Sequence, residues 1–234
     1  MWAAWEVGVW KALRAHFQPD VIVGASAGSW VGWAIAGGCT MEELESEWLD
    51  PRTGGIIRVG VHAGGLLRPE GLHQTAHRLF ERFQPRIPFA LTMVEVPRLR
   101  LRLVRDSEIR WEHLAASCTI PFGFPPVRID GRRYVDGGFL GSFPLWAAEA
   151  MGATRAIGLN VLTTLPFRMA RRVMSVRQPS SAFEVIRIEP GARLGSIRDA
   201  LVWSAPMVRR WIDQGEQDGN RALARLAPQL ISRG

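Results

Sequence analysis

The sequence predicts an α/β fold in which a mostly parallel central sheet is flanked by helices. Short apolar runs with strand character alternate with longer segments whose apolar residues recur at helical spacing, as in sheets built from strand-helix-strand units. At 234 residues, 47% of them hydrophobic, the chain is long enough to bury one substantial core. No stretch has the composition of a linker, so we expect a single domain over residues 1–234.

The first third of the chain is predicted to hold three helices around one short strand. Val21–Val23 is a buried strand, bounded by Gln18-Pro19 and by a glycine-containing turn. Thr40 and Glu43 have the spacing of a capping box and predict the start of the third helix. The predicted helices are Trp2–Phe17, Ala27–Ala36 and a segment from Thr40 to Leu49.

The rest of the chain alternates between predicted strands and helices. Residues 50–68 are rich in Gly, Pro and Arg and are expected to form a long loop, a candidate flap over the site. Asp130-Gly131 predicts the turn of a β-hairpin. Residues 163–181 are expected to be irregular. The predicted strands are Ile87–Val96, Leu99–Val104, Val127–Ile129, Arg132–Val135, Ala156–Leu162 and Phe183–Ile188; the predicted helices are Pro69–Phe83, Trp111–Cys118, Pro144–Gly152 and a long final helix that includes Val208–Leu226.

The stretch around Ser26 has the pattern of a nucleophile elbow. Gly24-Ala25-Ser26-Ala27-Gly28 fits Gly-x-Ser-x-Gly and lies between a predicted strand and a predicted helix. In such a turn the serine hydroxyl is exposed, and small residues two positions away permit the sharp bend. The following helix directs backbone N–H groups and the positive end of its dipole at the position of an oxyanion. Ser26 is therefore a candidate nucleophile; the alternative is a glycine-lined turn that only packs a helix on a strand.

A serine nucleophile needs a general base, and Asp136 is the better candidate for it. All five histidines lie before residue 114, which excludes the Ser, Asp/Glu, His order of an α/β-hydrolase triad. Asp136 follows a predicted strand and precedes Gly137 and Gly138, and functional residues of open α/β sheets gather at the carboxyl ends of strands. The alternative role for Asp136 is to cap a turn, which is common for Asp-Gly.

His73 and His77 are one helical turn apart, the spacing of a possible metal pair. The glutamate of a His-Glu-x-x-His motif is absent, and no third ligand is evident. We interpret both histidines as structural and expect neither a metal nor a cofactor.

Together these motifs resemble those of the patatin-like phospholipases of the bacterial single-domain type. Gly24-x-Ser26-x-Gly28 matches the family's nucleophile motif, and Asp136-Gly137-Gly138 matches its Asp-Gly-[Gly/Ala] motif. The connecting segment, with Ala115-Ala116-Ser117, Ile120-Pro121 and Phe124-Pro125-Pro126, is similar to the family's approach to that aspartate. The resemblance covers nearly the whole chain and implies a three-layer patatin-like fold.

The resemblance also implies a chemistry. In the family a Ser-Asp dyad works without histidine, so Asp136 would accept the proton of Ser26 during attack on an acyl ester and return it to the leaving alcohol. The expected substrate is a lipid or another acyl ester, cleaved through an acyl-enzyme. Backbone support for the site and the oxyanion is expected from Gly24, Ala27, Gly28, Gly137 and Gly138.

The N-terminal loop departs from the family pattern. The family places its oxyanion hole in a loop, roughly Gly-Gly-Gly-x-[Arg/Lys]-Gly, between the first strand and a helix similar to residues 5–13. Aligned on that helix, Met1 falls inside the loop, Trp2 stands at the usual basic position and Ala3 at the last glycine. We expect a strand and the remaining glycines ahead of residue 1, with the given start inside the true reading frame. The alternative is a truncated, catalytically impaired protein that acts as a lipid-binding or interaction module.

Charge and composition bear on partners. The formal net charge is +7, and Lys11 is the only lysine, so a positive, arginine-rich surface favours peripheral contact with an anionic membrane. The arginines form no tract, and we expect no nucleic-acid partner. A phosphate cradle at Gly24–Ser29 is a third alternative, but the stretch lacks the lysine of a P-loop.

Location and substrate contacts are predicted more coarsely. The two cysteines form no disulfide framework, and no apolar run reaches the roughly 18 residues that a membrane span needs. Both observations favour a cytoplasmic location, and peripheral contact with a membrane is compatible with it. Trp30, Trp33, Phe122 and Phe124 are candidates for an acyl pocket or for bilayer contact, with core packing the expected role of each. The sequence does not predict the oligomeric state.

Overall fold

The computed structural model describes residues 1–62, 65–141, 143–162 and 178–231 of the chain. The helices are α1 (Ala3–Leu13), α2 (Ala27–Ala36), α3 (Met41–Leu49), α4 (Pro51–Gly54), α5 (Glu70–Arg82), α6 (Trp111–Ser117), α7 (Gly138–Gly141), α8 (Leu145–Ala150), α9 (Ile197–Leu201) and α10 (Ala205–Ile231). The strands are β1 (Ile22–Ala25), β2 (Val59–His62), β3 (Gly65–Leu67), β4 (Phe89–Val96), β5 (Arg100–Arg105), β6 (Val127–Ile129), β7 (Arg132–Asp136), β8 (Arg155–Leu159) and β9 (Glu184–Ile188). Most of the predicted irregular segment, residues 163–177, lies outside the described part of the chain.

Most predicted elements are confirmed, with ends shifted by a few residues. The capping box of α3 is present: the Glu43 amide donates to Oγ1 of Thr40 at 3.2 Å, and the Thr40 amide donates to Oε2 of Glu43 at 2.9 Å. The loop predicted over residues 50–68 is wrong, because this segment contains α4 and the antiparallel hairpin β2–β3. Asp50 caps α4 by accepting from the Arg52 amide at 2.8 Å, and Pro51 occupies the first helical position.

The main sheet is mixed, which corrects the prediction of a mostly parallel sheet. Its order is β1-β4-β7-β6, with β5 on the other edge of β4. Only β1 and β4 run parallel in it, while β5 and β7 pair antiparallel with β4 and β6 pairs antiparallel with β7. The short turns at residues 97–99 and 130–131 account for the pairs β4–β5 and β6–β7, since strands joined by a tight turn must run antiparallel. Strands β8 and β9 form a separate parallel pair.

The register of β4 brings the ends of β1 and β7 together. Ala25, the last residue of β1, lies opposite Thr92, and Asp136, the last residue of β7, lies opposite the next residue, Met93. Strands β1 and β7 therefore pair with consecutive stretches of β4 and point towards each other. As a result, the C-terminal end of β1 meets the C-terminal end of β7. This meeting point places the residue after β1, Ser26, beside Asp136.

Helices cover the sheet and complete the core. Trp33 of α2 lies between the rings of Phe80 and Phe89, with ring centroids 5.7 and 5.5 Å away, and joins α2 to α5 and β4. Helix α1 packs lengthwise on the long α10, where the Nε1 of Trp5 donates to Oδ2 of Asp218 at 2.8 Å. The largest fully buried side chains come from the helices, the sheet and the loop before β6: Trp5, Trp33, Trp211, Phe89, Phe124, Leu44, Leu72, Leu91 and Leu114. In the described part of the chain, no helix is long and apolar enough to cross a bilayer.

The crossing of α1 and α10 gives the first testable prediction. A Cβ on Gly215 would lie 2.0 Å from the Trp5 carbonyl oxygen, so the two backbones are in direct contact. Gly215→Ala is expected to lower the free energy of unfolding by about 3 kcal/mol, because the helices must separate. Urea denaturation checks this, with Gln217→Ala on an exposed position of α10 as the control that should stay within about 0.5 kcal/mol of wild type. Equal stability of the two variants would contradict the close packing.

A cleft of about 1010 Å³ separates β1 from β8. Every residue of both strands lines it, and among the described residues β1 pairs only with β4, and β8 only with β9. The strand expected ahead of α1 stays a prediction.

Candidate active site

Ser26 lies on a strained turn between β1 and α2. Its φ of 53° and ψ of −140° put a non-glycine residue in a sparsely populated conformation, as the elbow pattern predicts. Ser29 fixes the turn, because its amide and its Oγ both donate to the Ser26 carbonyl, at 2.9 and 2.6 Å. A Cβ on Gly24 would lie 2.4 Å from the Cα of Ser29, so only glycine permits α2 to fold back this closely on β1.

Asp136 is held at the end of β7 by backbone groups. Its amide donates to the carbonyl of Thr119 at 2.8 Å, and the amide of Gly138 donates to its Oδ1 at 2.6 Å. Gly137 permits this arrangement, because a Cβ there would lie 2.2 Å from the carbonyl oxygen of Thr92 on β4. The two glycines after Asp136 thus have separate tasks: Gly137 allows close approach to β4, and Gly138 orients the carboxylate.

The structure brings the two predicted residues into direct contact. Oγ of Ser26 donates to Oδ2 of Asp136 at 2.6 Å, within the range of a short charge-assisted hydrogen bond. Each carboxylate oxygen therefore has one donor, Ser26 on Oδ2 and Gly138 on Oδ1. This is the geometry in which a carboxylate can take the proton of a serine hydroxyl.

The environment of Asp136 makes it a stronger base than an ordinary aspartate. The residue is only 6% exposed, and burial raises its pKa from 3.8 to about 6, although the hydrogen bonds from Ser26 and Gly138 favour the ionised form. A carboxyl with this pKa is mostly ionised at pH 7 yet holds a proton better than a solvent-exposed aspartate does. Both properties suit a group that accepts and returns a proton.

The N-terminus of α2 supplies backbone donors next to Ser26. Ala27 and Gly28 are the first two residues of the helix, and N–H groups at these positions have no acceptor within the helix. The positive end of the helix dipole lies at the same place. Of the five backbone positions predicted to support the site, Ala27 and Gly28 are thus placed to donate to an anion, whereas Gly24, Gly137 and Gly138 shape the turn or hold Asp136.

Glu6 on α1 is a group near the elbow that the sequence did not reveal. A Cβ on Gly28 would lie 3.0 Å from Oε2 of Glu6, so the carboxyl packs on the first turn of α2. Burial raises the pKa of Glu6 from 4.5 to about 8, while the charge of the Met1 amine lowers it. Glu6 is therefore mostly neutral at pH 7 and places little negative charge at this end of α2. Nothing in the local sequence signals it, because it depends on how α1 packs across the elbow.

Two other buried side chains lie behind the elbow. Sγ of Cys118 is 4.0 Å from Oγ of Ser29, and burial raises the pKa of this thiol well above its ordinary value. Cys118 is thus an unreactive packing residue. Thr119 contributes its carbonyl oxygen to the Asp136 amide, a role that the sequence could not show because any residue type can supply it.

The remaining sequence candidates have structural placements. The rings of His73 and His77 pack against Trp111, with centroids 5.6 and 5.7 Å away. The described residues contain no group of three or more His, Cys, Asp or Glu side chains arranged to hold a metal. Among the aromatic candidates, Trp30, Trp33 and Phe124 are buried in the core as expected. The same expectation is wrong for Phe122, which is 84% exposed.

Comparisons with known proteins agree on one family. A family model described as patatin-like phospholipase matches residues 1–149. The chain is 25% identical over 167 residues to patatin-like phospholipase domain-containing protein 6 of mouse and of human, covering 66% of this chain but 12% of each relative. Among solved structures, VipD from Legionella pneumophila is similar with a TM-score of 0.54 at 11% identity, covering 96% of this chain and 65% of that one. The likeness to VipD concerns the fold and confirms the predicted fold class.

Proposed function

The chain belongs to the patatin-like phospholipase family, and we propose that it is a serine acyl hydrolase that cleaves carboxylic ester bonds of lipids. The observation that carries the proposal is the 2.6 Å hydrogen bond from Oγ of Ser26 to Oδ2 of Asp136. The family indicates a lipid acyl hydrolase, and this contact supplies a nucleophile and a base to perform that chemistry. The net charge of +7 supports work at an anionic membrane surface.

In the proposed acylation step, Asp136 accepts the hydroxyl proton of Ser26 while Oγ forms a bond to the ester carbonyl carbon. The carbonyl oxygen becomes an oxyanion, which the amides of the first turn of α2 stabilise. When the tetrahedral intermediate collapses, the bond to the alkoxy oxygen breaks, and Asp136 returns its proton to the departing alcohol. The product is an ester between Oγ of Ser26 and the acyl group.

Deacylation repeats the steps with water. Asp136 takes a proton from a water molecule, whose oxygen attacks the acyl carbon. Collapse of the second intermediate releases the fatty acid, and Oγ of Ser26 recovers its proton from Asp136. Asp136 is the group that accepts and returns the proton in both steps, which is why its pKa of about 6 matters for each of them.

Covalent labelling tests the proposal directly. A fluorophosphonate probe, which reacts with activated serines, is expected to label the intact protein on Ser26, as identified by peptide mass analysis. Asp136→Asn should react far more slowly because its side chain cannot accept the proton. Labelling on another serine, or equal labelling of the folded Ser26→Ala variant, would refute the proposed nucleophile. A protein that folds and binds lipid without labelling would instead support a non-catalytic lipid-binding module.

The two perturbed carboxyl groups predict the pH dependence of catalysis. The rate constant kcat/KM for a soluble ester should rise with pH through about 6, because Asp136 must be ionised to accept a proton. It should fall again through about 8, because ionised Glu6 puts a negative charge beside the first turn of α2, where the oxyanion forms. A bell-shaped profile measured between pH 4.5 and 9.5 is the expected result.

A matched variant separates the two limbs of this profile. Glu6→Gln keeps the size of the side chain but cannot ionise, so it should retain the limb near pH 6 and lose the decline near pH 8. Asp213→Asn, on an exposed position of α10, should leave both limbs unchanged. An unchanged decline in Glu6→Gln would show that another group causes it, and a lower limb centred near pH 4 would contradict the raised pKa of Asp136.

A further inference from the structure

Four exposed apolar side chains lie on segments that are joined to the site by backbone contacts, and we call them the rim. They are Leu66 on β3, Ile120 and Phe122 in the loop after α6, and Phe139 on α7. Phe122 is 84% exposed and Leu66 is 65% exposed. Single exposed apolar residues are common on protein surfaces, but a group of large ones beside a site marks an interaction surface.

The segments that carry the rim are connected to the dyad through backbone hydrogen bonds. Ile120 follows Thr119, whose carbonyl accepts from the Asp136 amide at 2.8 Å, and Phe139 follows Gly138, whose amide holds the Asp136 carboxylate. The loop of Phe122 is in turn bound to the β2–β3 hairpin, because the Leu67 amide donates to the Gly123 carbonyl at 2.8 Å. The segments that carry the rim are therefore joined to those that hold Asp136.

Phe122 is displayed in a conformation that the chain does not favour. Its φ is +64°, in the left-handed region that costs a bulky residue free energy. The next residue, Gly123, donates its amide to the Ile120 carbonyl at 3.1 Å and so closes a tight turn with Phe122 at its tip. Exposure and backbone strain both oppose folding at this residue, which suggests a role outside the folded core.

The hairpin adds positive charge next to the apolar rim. Arg68 lies two residues after Leu66 and therefore on the same face of the strand, and its amide donates to the carbonyl of Arg58 across the hairpin at 2.8 Å. Both arginines are exposed, and neither forms an ion pair with any residue that the structure describes. Two unpaired cations beside apolar side chains are complementary to negatively charged headgroups above an acyl-chain layer.

We propose that the rim, with Arg58 and Arg68, docks the protein on an anionic lipid surface and so delivers substrate to Ser26. This inference rests on the proposed function for the identity of the substrate, whereas the docking itself needs no catalysis. Phe122 and Leu66 enter the boundary between headgroups and acyl chains, and the arginines contact the phosphates. A protein partner with an acidic, apolar face is the competing occupant, and the experiment separates the two.

The experiment measures binding to vesicles with the inactive Ser26→Ala protein, so that the lipid is not consumed. Co-sedimentation with phosphatidylglycerol/phosphatidylcholine vesicles should show binding that weakens on pure phosphatidylcholine. Adding Phe122→Ser and Leu66→Ser together should lower the partition coefficient by about 10- to 100-fold, since two large apolar side chains no longer enter the lipid. Adding Arg58→Gln and Arg68→Gln should lower it about 10-fold or more at low salt, and only on anionic vesicles.

Matched controls make the result specific to this surface. Leu99→Ser replaces a leucine that is 55% exposed, also at positive φ, in the turn between β4 and β5. Arg209→Gln with Arg225→Gln removes the same charge from exposed positions of α10. Both controls should retain binding, with folding of every variant checked by circular dichroism.

Three results would overturn the inference: no vesicle binding by the Ser26→Ala protein, undiminished binding after the rim substitutions, or equal losses in the controls. The proposed function fails separately, if the wild-type protein does not hydrolyse a monomeric soluble ester. The two failures are thus distinguishable, because the binding measurement uses no catalytic step.

Discussion

Ser26→Ala is expected to lower kcat/KM for ester hydrolysis by about 10⁴- to 10⁶-fold, the range found when a nucleophile is removed from other serine hydrolases. The reason is that the acyl-enzyme can no longer form, and Asp136 alone must activate water for direct attack. The measurement is steady-state kinetics on a soluble short-chain ester at pH 7.5. Ser46→Ala is the control and should keep full activity, because this serine is exposed on α3 and its hydroxyl donates to the Glu43 carbonyl of the same helix.

The same experiment tests whether Ser26 and Asp136 act as one unit. Asp136→Asn should also cause a loss of several orders of magnitude, and the double variant should be hardly less active than either single variant. Residues that cooperate in one step give such non-additive losses, whereas independent residues give losses that multiply. Multiplying losses would show that Asp136 only supports the fold, and residual activity above a tenth of wild type in Ser26→Ala would refute the nucleophile.

The positions of Ser26 and Asp136 can be predicted from the sequence because each half of the pair depends on local residues. The elbow depends on the glycines around Ser26, and the placement of Asp136 depends on Gly137 and Gly138, all within two residues of the groups that they position. The family resemblance then links two motifs 110 residues apart, which spacing alone cannot do. What no local pattern contains is the register of β4, which sets Ala25 and Asp136 opposite consecutive residues.

The features that the sequence did not predict depend on contacts between distant segments. The sequence predicts a loop where strands β2 and β3 form a hairpin, because the composition is that of a loop and the stability of the hairpin comes from packing on the segment around Gly123. Phe122 was expected in the core because large aromatic residues are usually buried. It lies one residue before a glycine and two before Phe124, which is buried, and only the turn geometry decides which ring faces inward. Glu6 likewise acquires its raised pKa only when α1 packs against the elbow.

Asp136→Asn is also expected to stabilise the folded protein at alkaline pH. The pKa of Asp136 is about 6 in the folded state against 3.8 as the ordinary value, so the folded state binds the proton more tightly than the unfolded state does. The stability that the protonated carboxyl contributes is fully present below about pH 3.8 and is lost as pH rises through 6. A difference of about two pKa units corresponds to about 3 kcal/mol, which is the expected cost of the ionised group at pH 8.

Asparagine removes this cost while keeping the contacts. Its Oδ1 can accept from the Gly138 amide, and its Nδ2 can donate to Oγ of Ser26, so no partner of Asp136 is left unsatisfied. Urea denaturation should therefore show Asp136→Asn more stable than wild type by up to about 3 kcal/mol at pH 8, with the difference shrinking towards zero near pH 4. The exposed Asp213→Asn should show no such pH-dependent gain.

A less stable or equally stable Asp136→Asn protein at pH 8 would mean that the carboxylate is well solvated and its pKa unperturbed. A gain in stability at pH 8 together with a loss of activity would instead show that both effects have one cause. Burial disfavours the ionised carboxylate in the folded protein, and the same burial makes Asp136 basic enough to take a proton from Ser26. The lower stability of the folded protein at high pH and the basicity of Asp136 therefore both result from burial of the carboxylate. A substitution of Asp136 that removes the cost in stability also removes the base.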